Sequence, residues 1–186
     1  SHESYLRGSD LFRDLELANL KFSISTIFDV GANIGQSCTE YLQHWSDPKI
    51  FCFEPSPIVF KVLTDTHGDK SQVKTYNLGL SDQCKTLALV EEELSVNNHF
   101  LESSVVNTLE NVIDCEVMRG DCFMLAEDIS GIDFLKVDTE GHDLQVLHGF
   151  DETLIKGMIG LIQCEVSMSL ANQKHVYFED VLEFVK

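Results

Sequence analysis

Asp29 opens a glycine-containing turn whose residue types suit the binding of a nucleotide. It stands near the end of a β-branched, strand-like run over residues 24–30. The turn that follows contains Gly31, Ala32, Asn33 and Gly35. Glycines let the backbone turn sharply and let a ligand approach it closely, and asparagine tolerates a positive φ better than most residues. A helix predicted from Ile34 would point its N-terminus at the same place, which favours a bound ligand.

A carboxylate further along the chain narrows the class of ligand. Glu54 follows a second apolar run, about 20 residues beyond the glycine turn, where it can accept both hydroxyls of an adenosine ribose. S-adenosylmethionine and NAD share that contact. Asp29 suits the cationic amino group and sulfonium of S-adenosylmethionine better than a pyrophosphate, and the G-x-G-x-x-G dinucleotide pattern is absent. The sequence therefore predicts S-adenosylmethionine as the cofactor, with NAD as the alternative.

Ionisable residues crowd the end of a later apolar run. They are Lys136, Asp138, Glu140, His142 and Asp143. Methyl transfer is an in-line displacement, so positioning supplies much of the rate and a base need only take the acceptor's proton. Histidine has a pKa matched to neutral pH, whereas the carboxylates lie closer to the strand end. We hypothesise that Asp138 orients the acceptor or cofactor and that Glu140 or His142 takes the proton. The alternatives are that Lys136 pairs with an acid and that Asp143 only favours a helix dipole.

A divalent metal is a further alternative at this cluster. Asp138, His142, Asp143 and Glu165 carry oxygen or nitrogen donors, and magnesium lowers the pKa of a hydroxyl that it binds. No spacing among these residues demands a metal, so the predicted site contains none. Activity undiminished in EDTA would exclude one.

Strand-like and helical segments alternate along the chain. The strand-like runs cover residues 24–30, 50–53, 72–78, 86–90, 132–137 and 158–166. Helical patterns lie at residues 9–20, from 34, from 57, around 144–147 and from about 175. Such alternation implies right-handed βαβ crossovers and a parallel sheet with helices on both faces. The continuous apolarity of residues 158–166 predicts a central, buried strand. The polar segment 91–111 is predicted as a solvated loop, with an insertion or lid as the alternative.

We therefore predict an α/β protein with a three-layer, doubly wound fold and a mostly parallel central sheet. No repeat or linker divides the chain, so residues 1–186 are expected to form one domain. An N-terminal helix within residues 9–22 precedes a core that begins at residue 24.

Composition limits the classes of partner. The formal net charge of -18 would repel nucleic acids and anionic membrane surfaces. The six cysteines show no C-x-x-C spacing, and the sequence contains no signal pattern and no apolar run of bilayer length. We expect reduced thiols in a cytoplasmic protein that binds neither nucleic acid nor membrane. The oligomeric state is not predicted.

The motifs together resemble the FkbM-type methyltransferases, within the class I S-adenosylmethionine-dependent enzymes. The resemblance rests on G-A-N-x-G at residues 31–35, F-E-P at 53–55, N-L-G-L-S-D at 77–82 and K-V-D-x-E-G at 136–141, in that order. It implies a Rossmann-like fold and methyl transfer to a hydroxyl oxygen of a sugar or other small molecule. By position, Asp29, Gly31, Asn33 and Gly35 would line the methionine end of the cofactor. Glu54 would bind the ribose, and Asn77 or Asp82 would lie on the adenine side.

Two segments depart from the pattern of that family. Arg119-Gly120-Asp121-Cys122 only partly matches its usual Leu-Asp-Asp, and the antiparallel sixth and seventh strands of the class are expected to be missing from this sequence. A nicotinamide-dependent oxidoreductase and a cofactor-binding module without catalysis remain the competing interpretations.

Overall fold

A computed structural model describes residues 10–19, 23–90, 99–100, 112–172 and 174–186. The helices and strands occur in the order α1 (Leu11–Ala18), β1 (Thr26–Val30), α2 (Gln36–His44), β2 (Lys49–Phe53), α3 (Pro57–His67), β3 (Val73–Tyr76), β4 (Gly79–Ser81), β5 (Lys85–Val90), β6 (His99–Phe100), β7 (Val112–Arg119), α4 (Gly120–Ala126), β8 (Ile132–Val137), α5 (Asp143–His148), α6 (Asp151–Ile155), β9 (Ile159–Cys164) and α7 (Phe178–Phe184).

The central sheet has the strand order β3-β2-β1-β8-β9, and every neighbouring pair is parallel. Alternate residues of a strand point to opposite faces, and the core divides accordingly. Phe28 and Val30 pack with Phe123 of α4 and Val146 of α5 on one face. Ile27 packs with side chains of α2 and α3 on the other. The predicted three-layer α/β fold is therefore confirmed.

The strand order reverses beside β1, because β2 follows it on one side and β8 lies on the other. Helices after β1 and β8 consequently cross to opposite faces and leave a crevice at the carboxyl ends of the strands. In open α/β sheets this crevice is where ligands bind. The glycine turn after β1, Glu54 after β2 and the acidic segment after β8 all open onto it.

The helix starts follow the chemistry of their first residues. Asp10 accepts a hydrogen bond from the Arg13 N–H at 3.0 Å and caps α1. Ser56 caps α3 through the Val59 N–H at 3.3 Å, and Pro57 occupies the first turn as predicted.

The strand β9 was predicted to be central and buried, which is wrong. It pairs with β8 alone within the described sheet, at the edge, and its residues are mostly half-buried. The continuous apolar run identified the strand correctly but not its position in the sheet. An edge strand covered by a helix has the same apolar composition as a central strand.

A second sheet, with the order β4-β7-β5-β6, was not predicted. The strand β4 has three residues, too few for a sequence pattern, and β7 alternates buried and exposed residues within a stretch rich in acids. Leu89 of β5 and Phe100 of β6 line the main cavity, so this sheet forms one of its walls. Apart from β6, the predicted loop or lid at residues 91–111 lies outside the described residues.

Within the described part of the chain, no helix is long and apolar enough to cross a bilayer.

Candidate functional site

A cavity of about 300 Å³ lies in the crevice at the carboxyl ends of the central strands. Its walls come from the turn after β1, the residues after β2, the ends of β8 and β9, and the second sheet. Seven of the residues predicted for the site from the sequence line this cavity. They are Gly31, Ala32, Asn33, Glu54, Lys136, Asp138 and Glu140. Gly35 is not among the described lining residues, although Gln36, which follows it, is.

The glycine turn is shaped by residues in the left-handed region. Gly31 has φ +80° and Gly35 has φ +92°, while Asn33 reaches φ +50°. A Cβ on Gly31 would overlap the backbone carbonyl oxygen of Asp138, and one on Gly35 would overlap the ring of His67. Both positions therefore require glycine, for conformation and for space. The turn is anchored to β2, because the N–H groups of Gly31 and Ala32 each donate to the Phe53 carbonyl at 3.0 Å.

Glu54 organises this end of the cavity. Its side chain is buried, its Oε2 accepts a hydrogen bond from the Asn33 N–H at 3.0 Å, and its Oε1 accepts one from the Ser56 N–H at 2.9 Å. The carboxylate thus ties the glycine turn to the start of α3. Glu54 also lines the cavity, and a carboxylate can accept about four hydrogen bonds in all.

Asp29 lies behind the cavity wall. It is fully buried, neither carboxylate oxygen makes a hydrogen bond within the described residues, and Lys136 Nζ lies 3.4 Å from its Oδ1. Burial raises the pKa of Asp29, and Lys136 opposes that rise. Asp29 contacts Lys136, which lines the cavity, and is not itself among the described lining residues, so its direct contact with a cofactor stays a prediction.

Lys136 forms ion pairs with two carboxylates. It faces Asp29 across the β1–β8 pair, and its Nζ lies 3.0 Å from Asp138 Oδ2. Burial favours the neutral amine, but Asp29 and Asp138 outweigh it and raise the pKa of Lys136 above its usual range. Lys136 is therefore a fixed positive charge that orients Asp138, as in the ion-pair alternative for this residue, and not a proton acceptor.

The loop after β8 presents Glu140 to the cavity. Glu140 adopts φ +51° and Gly141 φ +98°, a reversal that Asp143 holds in place. The Asp143 carboxylate is fully buried and accepts hydrogen bonds from the N–H groups of Thr139 at 3.2 Å and Gly141 at 3.1 Å. Asp143 therefore holds the loop, and as the first residue of α5 it is also an acidic residue in the first turn of that helix, as in the alternative for this residue.

His142 does not reach the cavity. Its Nε2 makes a 2.9 Å hydrogen bond with Ser81 Oγ, its ring packs 4.8 Å from the Phe100 ring, and it is not among the described residues that line the cavity. Burial lowers the pKa of His142 to about 4, with Asp82 and Lys85 as the charged neighbours. The hypothesis that His142 takes the acceptor's proton is not supported by this placement, since the side chain turns from the strand end into the second sheet.

The burial of His142 predicts acid sensitivity. A histidine whose pKa falls from 6.5 to about 4 on folding binds a proton more readily in the unfolded chain. The stabilisation is therefore complete above pH 6.5 and is lost as the pH falls toward 4, by up to about 3 kcal/mol. Urea unfolding from pH 7.5 to 4.5 should show a shallower decline in His142→Gln than in the wild type. His148→Gln, at an exposed histidine of α5, should follow the wild type, and parallel curves for all three proteins would contradict the prediction.

Asn77 and Asp82, predicted for the adenine side, are not among the described residues that line the cavity. Asn77 Nδ2 donates to the backbone carbonyls of Glu54 at 3.0 Å and Pro55 at 2.9 Å, which fixes the chain after β2. The carbonyl of Asp82 accepts a hydrogen bond from Arg119 at 2.8 Å within the second sheet. Their assignment to a ligand stays a prediction.

Glu165 lines the cavity, although the sequence indicated it only as a possible metal donor. It follows β9, whose end lies beside that of β8 because Val137 and Cys164 are paired in parallel register. The carboxyl ends of parallel neighbours lie at one edge of a sheet, so adjacency of these two strands was the signal that could have identified it. Among the described residues no three His, Cys, Asp or Glu side chains group as a metal site.

Comparison with known proteins yields a family match and several relatives. A family model described as the methyltransferase FkbM domain matches residues 29–186. Methyltransferase sdnD of Sordaria araneosa is 30% identical over 178 residues, covering 77% of this chain and 67% of the relative. The 2-O-methyltransferase NoeI of Sinorhizobium fredii is 25% identical over 144 residues, covering 70% and 59%. The hexuronic acid methyltransferase AglP of Haloferax volcanii is 28% identical over 130 residues, covering 69% and 51%.

The chain thus spans between about half and two thirds of the length of these curated relatives. No solved structure was found to match it.

Proposed function

Since this chain belongs to the methyltransferase FkbM domain family, we propose that it transfers the methyl group of S-adenosylmethionine to a hydroxyl oxygen of a sugar or other small molecule. The charge of the residues that line the cavity is the main reason for proposing this cofactor. Its described lining contains four carboxylates, Glu54, Asp138, Glu140 and Glu165, and a single lysine. Such a lining attracts a sulfonium and an ammonium and repels a pyrophosphate, which disfavours NAD.

The shape of the glycine turn also fits a nucleoside cofactor. Gly31, Ala32 and Asn33 line the cavity, and the left-handed conformations of Gly31 and Asn33 turn the backbone beside it. Glu54 lines the cavity, and two backbone N–H groups already fix its carboxylate in place. We assign Glu54 to the ribose hydroxyls and the turn after β1 to the methionine end.

When bound, S-adenosylmethionine would supply an electrophilic methyl group on a positively charged sulfur. The protein's contribution is position and charge. Lys136 holds the Asp138 carboxylate at 3.0 Å, and Asp143 holds the loop that carries Glu140. These groups lie at the edge of the cavity formed by the end of β8, where they bind and orient the acceptor hydroxyl. Preorganisation of this kind lowers the barrier of an in-line displacement by fixing the reactants in a near-attack arrangement.

Two of the relatives favour an oxygen acceptor on a sugar. One is a 2-O-methyltransferase and the other a hexuronic acid methyltransferase. We propose the same chemical class, a sugar or similar small hydroxyl compound, for this chain. Neither nucleic acid nor a membrane is part of the proposal, given the formal net charge of -18.

Calorimetry with S-adenosylmethionine and with NAD tests the cofactor, and transfer of a radiolabelled methyl group to a panel of simple glycosides tests the reaction. We expect micromolar binding of S-adenosylmethionine, no binding of NAD, and label in at least one glycoside. Binding of NAD alone would favour the oxidoreductase alternative. Binding of S-adenosylmethionine without transfer to any acceptor would favour a binding module that lacks catalysis.

A further inference from the structure

Two carboxyl groups meet at the edge of the cavity where β8 and β9 end. The Glu165 N–H donates to the Val137 carbonyl at 3.2 Å, so Asp138 and Glu165 leave the sheet side by side. Both side chains line the cavity, and the Asp138 carboxyl group is close enough to Glu165 to affect it electrostatically. The two groups differ in their other contacts: Asp138 is held by Lys136 at 3.0 Å, whereas Glu165 is not in a lysine or arginine ion pair among the described residues.

A histidine lies on the other side of Glu165. His175 Nδ1 is 3.6 Å from Glu165 Oε2 and is buried without a hydrogen-bond partner in the described part of the chain. The Glu165 side chain is 48% exposed, which gives a proton on it a path to solvent.

We propose that Glu165 is the catalytic base that takes the proton of the acceptor hydroxyl, and that Asp138 is its positioning residue. This inference rests on the proposed function. As an acceptor oxygen lone pair forms the bond to the methyl carbon, the carbon–sulfur bond breaks and its electron pair stays on sulfur. The hydroxyl proton passes to the Glu165 carboxylate, which afterwards releases it to water, so charge and atoms balance.

The electrostatic surroundings agree with that role. Partial burial raises the pKa of Glu165, and the neighbouring Asp138 carboxyl group raises it further. Glu140 also raises it, and His175 lowers it. A carboxylate is a stronger base when its pKa lies closer to the working pH, so this environment makes Glu165 better suited to proton transfer than an ordinary glutamate.

The first test needs neither cofactor nor acceptor. Carboxyl-labelled glutamate gives a carbon NMR signal for Glu165, assigned by its absence in Glu165→Gln. We expect its midpoint above the ordinary glutamate value of about 4.3, and a lower midpoint in Asp138→Asn, which removes the neighbouring negative charge. An ordinary midpoint, or one that Asp138→Asn leaves unchanged, would overturn the proposal.

The second test measures turnover with the glycoside selected by the labelling experiment. Glu165→Gln should lower kcat by about 10² to 10⁴ while calorimetry shows S-adenosylmethionine bound within threefold of the wild-type Kd. The acid limb of the kcat profile should move to lower pH in Asp138→Asn. Glu179→Gln, an exposed glutamate of α7, is the matched control and should behave as the wild type.

Undiminished kcat in Glu165→Gln with cofactor binding intact would refute this role alone. Failure of the wild type to bind S-adenosylmethionine would refute the proposed function instead. If circular dichroism shows that Glu165→Gln does not fold, Glu165→Asp replaces it, because aspartate keeps the negative charge. A reduced kcat with the acid limb of the pH profile still present would support the proposal. A kcat equal to that of the wild type would count against it.

Discussion

Replacing Lys136 with methionine is expected to lower the free energy of unfolding by about 3–5 kcal/mol at pH 7. Lys136 Nζ is the cation 3.4 Å from Asp29, whose carboxylate is fully buried and makes no hydrogen bond within the described residues. Methionine fills a similar volume, so the cost comes from an uncompensated charge rather than from a void. Urea unfolding monitored by circular dichroism measures the loss.

The pH dependence and a double variant identify the cause. Without Lys136 the pKa of Asp29 rises further, so the loss of stability should be smaller at pH 5, where the buried carboxyl is more readily protonated, than at pH 7. Asp29→Asn combined with Lys136→Met should recover much of the stability, because the charge is gone. Lys156→Met, which breaks an exposed pair with Glu152, should cost less than about 1 kcal/mol. Equal stability of Lys136→Met and the wild type would show that the buried pair is not needed.

The second large effect is expected at Glu54. Glu54→Gln should weaken the binding of S-adenosylmethionine by about 100-fold, which corresponds to about 3 kcal/mol. An amide has one accepting oxygen, so its NH₂ group would face the N–H of Asn33 or of Ser56, both of which now donate to the carboxylate. The glycine turn would lose an anchor, and the ribose hydroxyls would lose a charged acceptor.

Calorimetry measures the change in Kd directly. Glu127→Gln is the matched control, because Glu127 also accepts two hydrogen bonds, from Lys74 and Tyr76 at 3.0 Å each, but is not among the described residues lining the cavity. Its Kd should equal that of the wild type. A Glu54→Gln variant that binds S-adenosylmethionine within threefold of the wild type would remove Glu54 from the cofactor site.

The segment β1 to β3 was predictable because its local signals agree. A β-branched run, positive-φ residues and the Ser56 and Pro57 start of α3 each indicate the same alternation of strand and helix. The second sheet was not predictable, since its strands pair residues such as Lys85 and Val117 that are distant in sequence and show no shared local pattern.

The residues of the site also fall into those that the sequence identified and those whose roles it did not. The turn after β1, Glu54 and Asp138 were found from their positions after strands, and they line the cavity. The roles of Asp29, His142 and Glu165 depended on strand neighbours: Lys136 faces Asp29 across a strand pair, and Ser81 of the second sheet holds His142. Residue type and spacing show after which strand a residue lies. The direction of its side chain depends on contacts with other strands, which form only in the folded chain.

The order of the central strands also has a consequence for how this chain folds. The strands β1, β2 and β3 lie side by side with local connections, whereas β1 pairs with β8 only after a long stretch of chain has been placed. The Ser25 N–H bond to Asp133 at the edge of that pair joins residues 108 positions apart. Closing so large a loop costs entropy before its contacts are gained. We therefore expect the joining of the two halves of the sheet to be the slow event in refolding, and the crevice between them to form only when it is complete.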